Sequence, residues 1–202
     1  VIGNAPVSST NKGRSYGFEV FFQQKLFRDF YGLVSYTFVG SEFQNFEGSY
    51  VASSWDYRNM LSITGGKIFK RNWEVGAKFR YNSGSPYTPY DIQASALKTN
   101  YDVTNAGIPD NTQLNTLRVE PFYQLDVRVD KKYNFKKWSL DVYLDVQNIT
   151  NNTTTEQPYF SVERDANGVP IPDPNNPDYY IPRGIENVAG TIIPGIGIVV
   201  EF

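Results

Sequence analysis

The sequence contains neither cysteine nor histidine in 202 residues. The first absence excludes disulfide staples and thiol chemistry, and the second removes the commonest general base and metal ligand. No apolar run approaches the roughly 20 residues that a membrane-spanning helix needs, so helical spans are excluded. A marked excess of either sign of charge is also missing: a formal net charge of -2 leaves no basic footprint for nucleic acid. The mean hydropathy of -0.44 still permits a membrane barrel, because barrel strands alternate and average to unremarkable values. Aromatic residues are in excess. They make up 16% of the chain, with 15 Tyr and 14 Phe, which suits interfacial girdles or sugar-binding surfaces better than an ordinary core. The opening Val1-Ile2-Gly3 is neither a charged leader nor a methionine start, so the chain is expected to be a piece of a longer polypeptide.

The last stretch organises the reading. Ile196, Ile198, Val200 and Phe202 alternate with Gly197, Val199 and Glu201, giving a strand with one fully apolar face. A terminal strand of this kind is an aggregation-prone edge in a soluble sheet, whereas in a closed barrel it pairs and no edge remains. Six earlier segments show the same period. They fall at residues 15–26, 30–41, 57–69, 73–82, 123–130 and 138–147, and the last strand begins near 192. Tight turns at Arg28-Asp29, at Lys70-Arg71-Asn72 and around Asn134 alternate with long connections at 42–56, 83–120 and 150–190, and residues 1–13 read as loop. Residues 83–120 offer no convincing helix.

Alternating short and long connections put all tight turns at one end of the sheet and all long loops at the other. Outer-membrane barrels, with short periplasmic turns and long extracellular loops, are built this way, and a soluble sandwich has no reason to sort its loops so. Aromatic residues also cluster at strand ends. Phe27, Phe30, Phe69, Trp73, Tyr133 and Trp138 lie beside the short turns; Tyr16, Tyr36, Phe38, Tyr57, Tyr81 and Tyr123 lie toward the long loops. Two such belts are what two membrane interfaces select. The polar rows carry Glu74, Lys78, Arg80, Asp126, Arg128, Asp130, Asp141 and Asp145, which cannot face lipid and are expected to line a wet lumen or touch a plug. Seven strands are an odd number, so the piece is expected to close only with strands supplied upstream.

Four segments carry a family resemblance: Gly84-Ser85-Pro86-Tyr87-Thr88-Pro89, Leu125-Asp126-Val127-Arg128-Val129-Asp130-Lys131-Lys132, Leu140-Asp141-Val142-Tyr143-Leu144-Asp145-Val146-Gln147-Asn148-Ile149-Thr150-Asn151, and the ending at residues 193–202. Together they resemble the C-terminal barrel region of TonB-dependent outer-membrane receptors, particularly those of Bacteroidetes-type bacteria. The resemblance implies a transmembrane antiparallel β-barrel of about twenty-two strands, of which this all-β chain supplies the last seven. It implies uptake of a scarce nutrient (a metal chelate, a cofactor or a glycan) with energy delivered by TonB. The plug and the TonB-contacting box would lie outside these residues. The implied partners are outer-membrane lipid, the upstream strands and plug, TonB with its inner-membrane energising complex, the barrel-assembly machinery and, in some receptors, a surface lipoprotein. Ile198, Val200 and Phe202 resemble the assembly signal that this machinery reads.

No enzymatic activity, cofactor or metal centre is expected. Asp141 and Asp145 share a strand face, but a rise of about 13 Å exceeds the roughly 5–9.5 Å that paired glycosidase carboxylates use. Asp165-Ala166-Asn167-Gly168 and Asp173-Pro174-Asn175-Asn176-Pro177-Asp178 offer oxygens to calcium, but turn chemistry explains both better. Asn148-Ile149-Thr150 and Asn151-Asn152-Thr153 match a glycosylation pattern that means little in a bacterial barrel. Ligand contacts are expected among the loop aromatics Trp55, Tyr87, Tyr90, Tyr101, Tyr159, Tyr179 and Tyr180, with loops packing on one another as an equal alternative. The competing functions are a passive pore or structural barrel, and a secreted glycan-binding β-sandwich.

Overall fold

The computed structural model describes residues 11–202. The expected loop at 1–13 therefore falls largely outside the described residues; Gly13 already belongs to a strand. In chain order the elements are β1 (Gly13–Phe27), β2 (Phe30–Gln44), β3 (Tyr50–Ala52), β4 (Arg58–Phe69), β5 (Trp73–Asn82), β6 (Pro86–Tyr87), α1 (Ile92–Ala96), α2 (Lys98–Thr104), β7 (Leu117–Arg118), β8 (Phe122–Asn134), β9 (Ser139–Gln147), β10 (Thr154–Val162), β11 (Pro182–Ala189) and β12 (Ile193–Glu201). At 60% strand and 8% helix the chain is all-β and antiparallel.

The main sheet is a meander in the order β1-β2-β4-β5-β8-β9-β12, with β3 folded back on the end of β2. Its seven long strands match the seven periodic segments of the sequence. Among the described residues β1 and β12 are its open edges. The short turns are tight because non-glycine residues accept left-handed backbone there: Arg28 (φ 48°) with Asp29 (φ 68°), and Arg71 (φ 63°) with Asn72 (φ 57°). Phe27 pairs Phe30 across the first turn and Phe69 pairs Trp73 across the second, so aromatic residues close each hairpin.

Register keeps the two faces separate across the whole sheet. Phe18 lies opposite Phe38, Val34 opposite Ile63, Ile63 opposite Phe79, Phe79 opposite Leu125, Val129 opposite Leu144 and Val142 opposite Ile198. A slip of one residue anywhere would throw apolar and charged rows together, so the pattern fixes the pairing. On the other face Glu74 pairs Asp130, Lys78 pairs Asp126, and Arg128 pairs Asp145. All eight singled-out charges lie on this one face.

Among the described residues the buried hydrophobic core consists of Ala96, Tyr101, Phe160 and Val162, all from the long connections. The main sheet buries no apolar side chain to that degree. Its apolar face stands open, with Phe22 at 61% exposure, Ile198 at 68% and Ile196 at 80%. A contiguous exposed apolar face of this kind marks a contact surface.

The expectation of a helix-free 83–120 connection is corrected: it holds α1, α2 and a 3-10 turn at Asn111–Gln113. At five and seven residues these helices are too short to show an apolar period, and tertiary packing stabilises them rather than propensity. Asp91 caps α1 by accepting from the Ala94 N–H at 2.9 Å. The 150–190 connection is likewise folded, with β10 and β11 forming a separate two-stranded sheet.

Candidate functional site

The two longest connections interlock over the long-loop end of the sheet. The Tyr180 N–H donates to the Ala96 carbonyl at 2.9 Å, the Lys98 N–H to that of Asp178 at 3.0 Å, and the Gln157 amide to that of Thr88 at 2.9 Å. Beneath these bonds Phe160 receives Tyr90 and Tyr101 at ring distances of 6.0 and 6.1 Å, and Tyr101 meets Tyr180 edge-on at 5.9 Å. This cap is the one part of the described chain with a dry interior.

Asp56 fastens the cap to the sheet. Its carboxylate is fully buried and accepts from the Ser41 N–H at 2.9 Å, from Arg58 at 3.1 Å and from Arg118. Arg118 also donates to the carbonyls of Asp56 at 2.6 Å and Gly84 at 2.9 Å. Burial alone would raise the Asp56 pKa, but the Ser41 N–H and the two guanidiniums outweigh it and hold the carboxyl below its ordinary value. Gly84 permits the approach, since a Cβ there would strike the Val119 carbonyl.

Between cap and sheet lies a cavity of about 870 Å³. Tyr57, Tyr87 and Tyr90 present rings to it; Asn82, Asn115 and Gln157 present amides. Asn115 is fixed by its own bonds, its amide donating to the Ala52 carbonyl at 2.7 Å and its N–H to the Thr88 hydroxyl at 3.0 Å. Among the described residues the charged groups in the lining are Glu120 and Glu156, and no cation lines it. Nearby, Asp110 is held below the ordinary carboxylate range by the Thr112 hydroxyl at 2.6 Å and the Gln113 amide at 2.7 Å. Aromatic faces beside fixed amides, with little charge, suit a neutral polyhydroxylated solute better than an anionic chelate.

The seven loop aromatics of the sequence reading are separated by the fold. Tyr87 and Tyr90 line the large cavity; Tyr179 and Tyr180 line a second one of about 290 Å³. Tyr180 donates to Asp102 at 2.9 Å, and that bond raises its pKa. Trp55 and Tyr159 project outward at 79% and 58% exposure, whereas Tyr101, 3% exposed, belongs to the core of the cap. Tyr57 lines the cavity though its position suggested only the upper aromatic belt.

The charged face holds a shallow recess of about 410 Å³ containing Lys78, Arg80, Asp126, Arg128 and Asp145. Arg80 pairs with Asp126 at 3.2 Å, and Arg128 grips Asp130 at 2.6 Å while lying 3.8 Å over the Tyr143 ring. Asp126 also accepts the Asn148 N–H at 2.9 Å, anchoring the start of the third long connection. Asn148 itself is buried, its amide bonded to the carbonyls of Asn152 and Thr191, so the glycosylation pattern there is turn chemistry. Asp165 accepts the N–H groups of Asn167 and Val169, and Asp173 that of Asn175, as turn-forming Asp residues do.

At the chain end Ile198 and Val200 pair Val142 and Leu140, and Phe202 stands fully exposed beyond β12. Family models provide no match to this chain, and curated proteins provide none either.

Proposed function

We propose that this chain is a seven-stranded section of an outer-membrane barrel of the TonB-dependent receptor type, and that its capped cavity contributes to capture of a scarce solute on the long-loop side. The observation that carries this reading is an apolar band across the middle of all seven long strands of the main sheet, uncovered by any described element and backed by a row of charges. Water cannot favour that face, while hydrocarbon can, provided the charged face meets a wet lumen. The open edges at β1 and β12 then pair with upstream strands, because an unpaired edge in lipid leaves backbone groups unsatisfied. Sorted turns and loops supply the orientation, and the cavity supplies the site. The lining favours a glycan-like or other neutral polyhydroxylated ligand among the nutrient classes that the resemblance implies.

Nitroxide labels at Val142 and Asp141 in the reconstituted parent protein test the reading. Val142 is expected to be accessible to oxygen in lipid and Asp141 to a water-soluble nickel complex. The reverse pattern, or two labels dry in the interior, would remove the membrane assignment and the transporter with it. Energised uptake is tested separately: solute accumulation is expected to stop when TonB is deleted, and uptake that continues unchanged indicates a passive pore.

A further inference from the structure

The apolar face carries two lysines, both at the short-turn end. Lys67 of β4 lies opposite Phe30 and Val75, with its ammonium 4.4 Å from the Phe30 ring centre and 5.1 Å from that of Phe69. Lys131 of β8 lies opposite Trp73, 5.3 Å from that ring and 5.2 Å from Tyr133. Among the described residues neither has an ion pair, and Lys131 donates only to the Arg71 carbonyl. The adjoining turns add Arg28, Lys70, Arg71, Lys136 and Lys137 against a single acid, Asp29, and none of these five cations has an ion pair among the described residues. The opposite end differs: the 150–190 connection holds Glu156, Glu163, Asp165, Asp173, Asp178 and Glu186 against Arg164 and Arg183.

A lysine on an apolar sheet face is costly unless its head meets water or an anion. Its stem can lie along aromatic rings while the ammonium reaches the interface. Lys67 and Lys131 stand two strands apart, about 10 Å at ordinary strand spacing, with the turn cations just beyond them. An excess of cations without ion pairs, at the level of an aromatic girdle, matches the phosphodiesters of a lipid headgroup layer.

We infer that Lys67 and Lys131, with the cations of the short turns, form a rim that binds the headgroups of anionic glycerophospholipids in the leaflet facing those turns. This rests on the membrane reading above. The rim would fix the depth of the sheet in the bilayer and enrich acidic lipid around this sector of the barrel.

The test uses the intact protein, made cysteine-free elsewhere and carrying Val75→Cys labelled with bimane, reconstituted in vesicles of phosphatidylglycerol and phosphatidylcholine. Val75 lies beside Lys67 on the same face. Bromine is placed on the chains of one lipid or the other at equal mole fraction. Brominated phosphatidylglycerol is expected to quench at least about twofold more than brominated phosphatidylcholine. In the unsubstituted protein that ratio should fall toward one in about 1 M salt, where screening is short-ranged. The double variant Lys67→Gln/Lys131→Gln should bring it toward one at low salt. Equal quenching by both lipids, or a ratio indifferent to salt and to the double variant, overturns the rim and leaves the membrane reading standing. No quenching by either lipid overturns both.

Discussion

Tyr31 crosses Gly66 to donate a 2.5 Å hydrogen bond to the Glu74 carboxylate, so one side chain stitches β2 to β5 over the intervening β4. Glycine is required beneath it, because a Cβ on Gly66 would strike the phenol. The same device recurs where Tyr143 covers Gly197 and Tyr16 covers Gly40. Gly66→Val is expected to displace the ring, break the Glu74 bond and cost about 1–3 kcal/mol. Tyr31→Phe, which keeps the ring, should cost only about 1 kcal/mol. Urea titrations of the refolded protein measure both, and equal losses would refute the steric account.

Asp56→Asn leaves Arg118 and Arg58 facing a neutral amide in a buried position. The expected loss is on the order of 2 kcal/mol, below the usual figure for a broken buried pair because both guanidiniums are partly solvated. Hydrogen exchange should rise in residues 84–119 while the main sheet keeps its protection. Uniform loosening of the whole chain would show that Asp56 is not a local fastener.

Acid should act through the same carboxylate. Its folded pKa is depressed, so its contribution is complete above the unfolded value of about 3.9 and disappears as pH falls below that through the folded pKa. The cap is expected to resist protease from neutral pH to about pH 4 and to loosen only below it. Loosening between pH 5 and 7 would contradict the assignment.

Val142→Arg places a charge at the middle of the apolar face. In a bilayer it should cost roughly 2–4 kcal/mol and reduce the heat-resistant folded fraction. Asp141→Asn, one residue away on the charged face, should change stability by well under half as much. Similar values for the two would mean that no hydrocarbon covers Val142.

Tyr87→Ala removes a ring from the large cavity and is expected to weaken binding of a neutral oligosaccharide about tenfold, the upper range for one aromatic contact. Tyr159→Ala, whose ring points away into solvent, is the control and should leave affinity unchanged. Isothermal titration with the reconstituted protein distinguishes them; an equal effect at both positions would move the site out of the cavity.

Period-two alternation determined the main sheet by itself. Rows such as Trp73-Val75-Ala77-Phe79-Tyr81 against Glu74-Lys78-Arg80 dictate strand, face and neighbour at once, because any other register mixes charge with apolar side chains. Tight turns were equally legible in Arg28-Asp29 and Lys70-Arg71-Asn72. Tertiary structure alone decided the long connections. Ile92–Ala96 and Lys98–Thr104 are helical because Tyr101 and Ala96 pack against Phe160 and Val162, residues some sixty positions later. That same packing took Tyr101 out of solvent, and other contacts between distant segments set Tyr87 and Tyr90 around a shared cavity and gave Asp56 its partner in Arg118. Local spacing encodes which face a strand residue takes; which loop side chains meet depends on contacts between segments far apart in the chain, and no short-range pattern carries them.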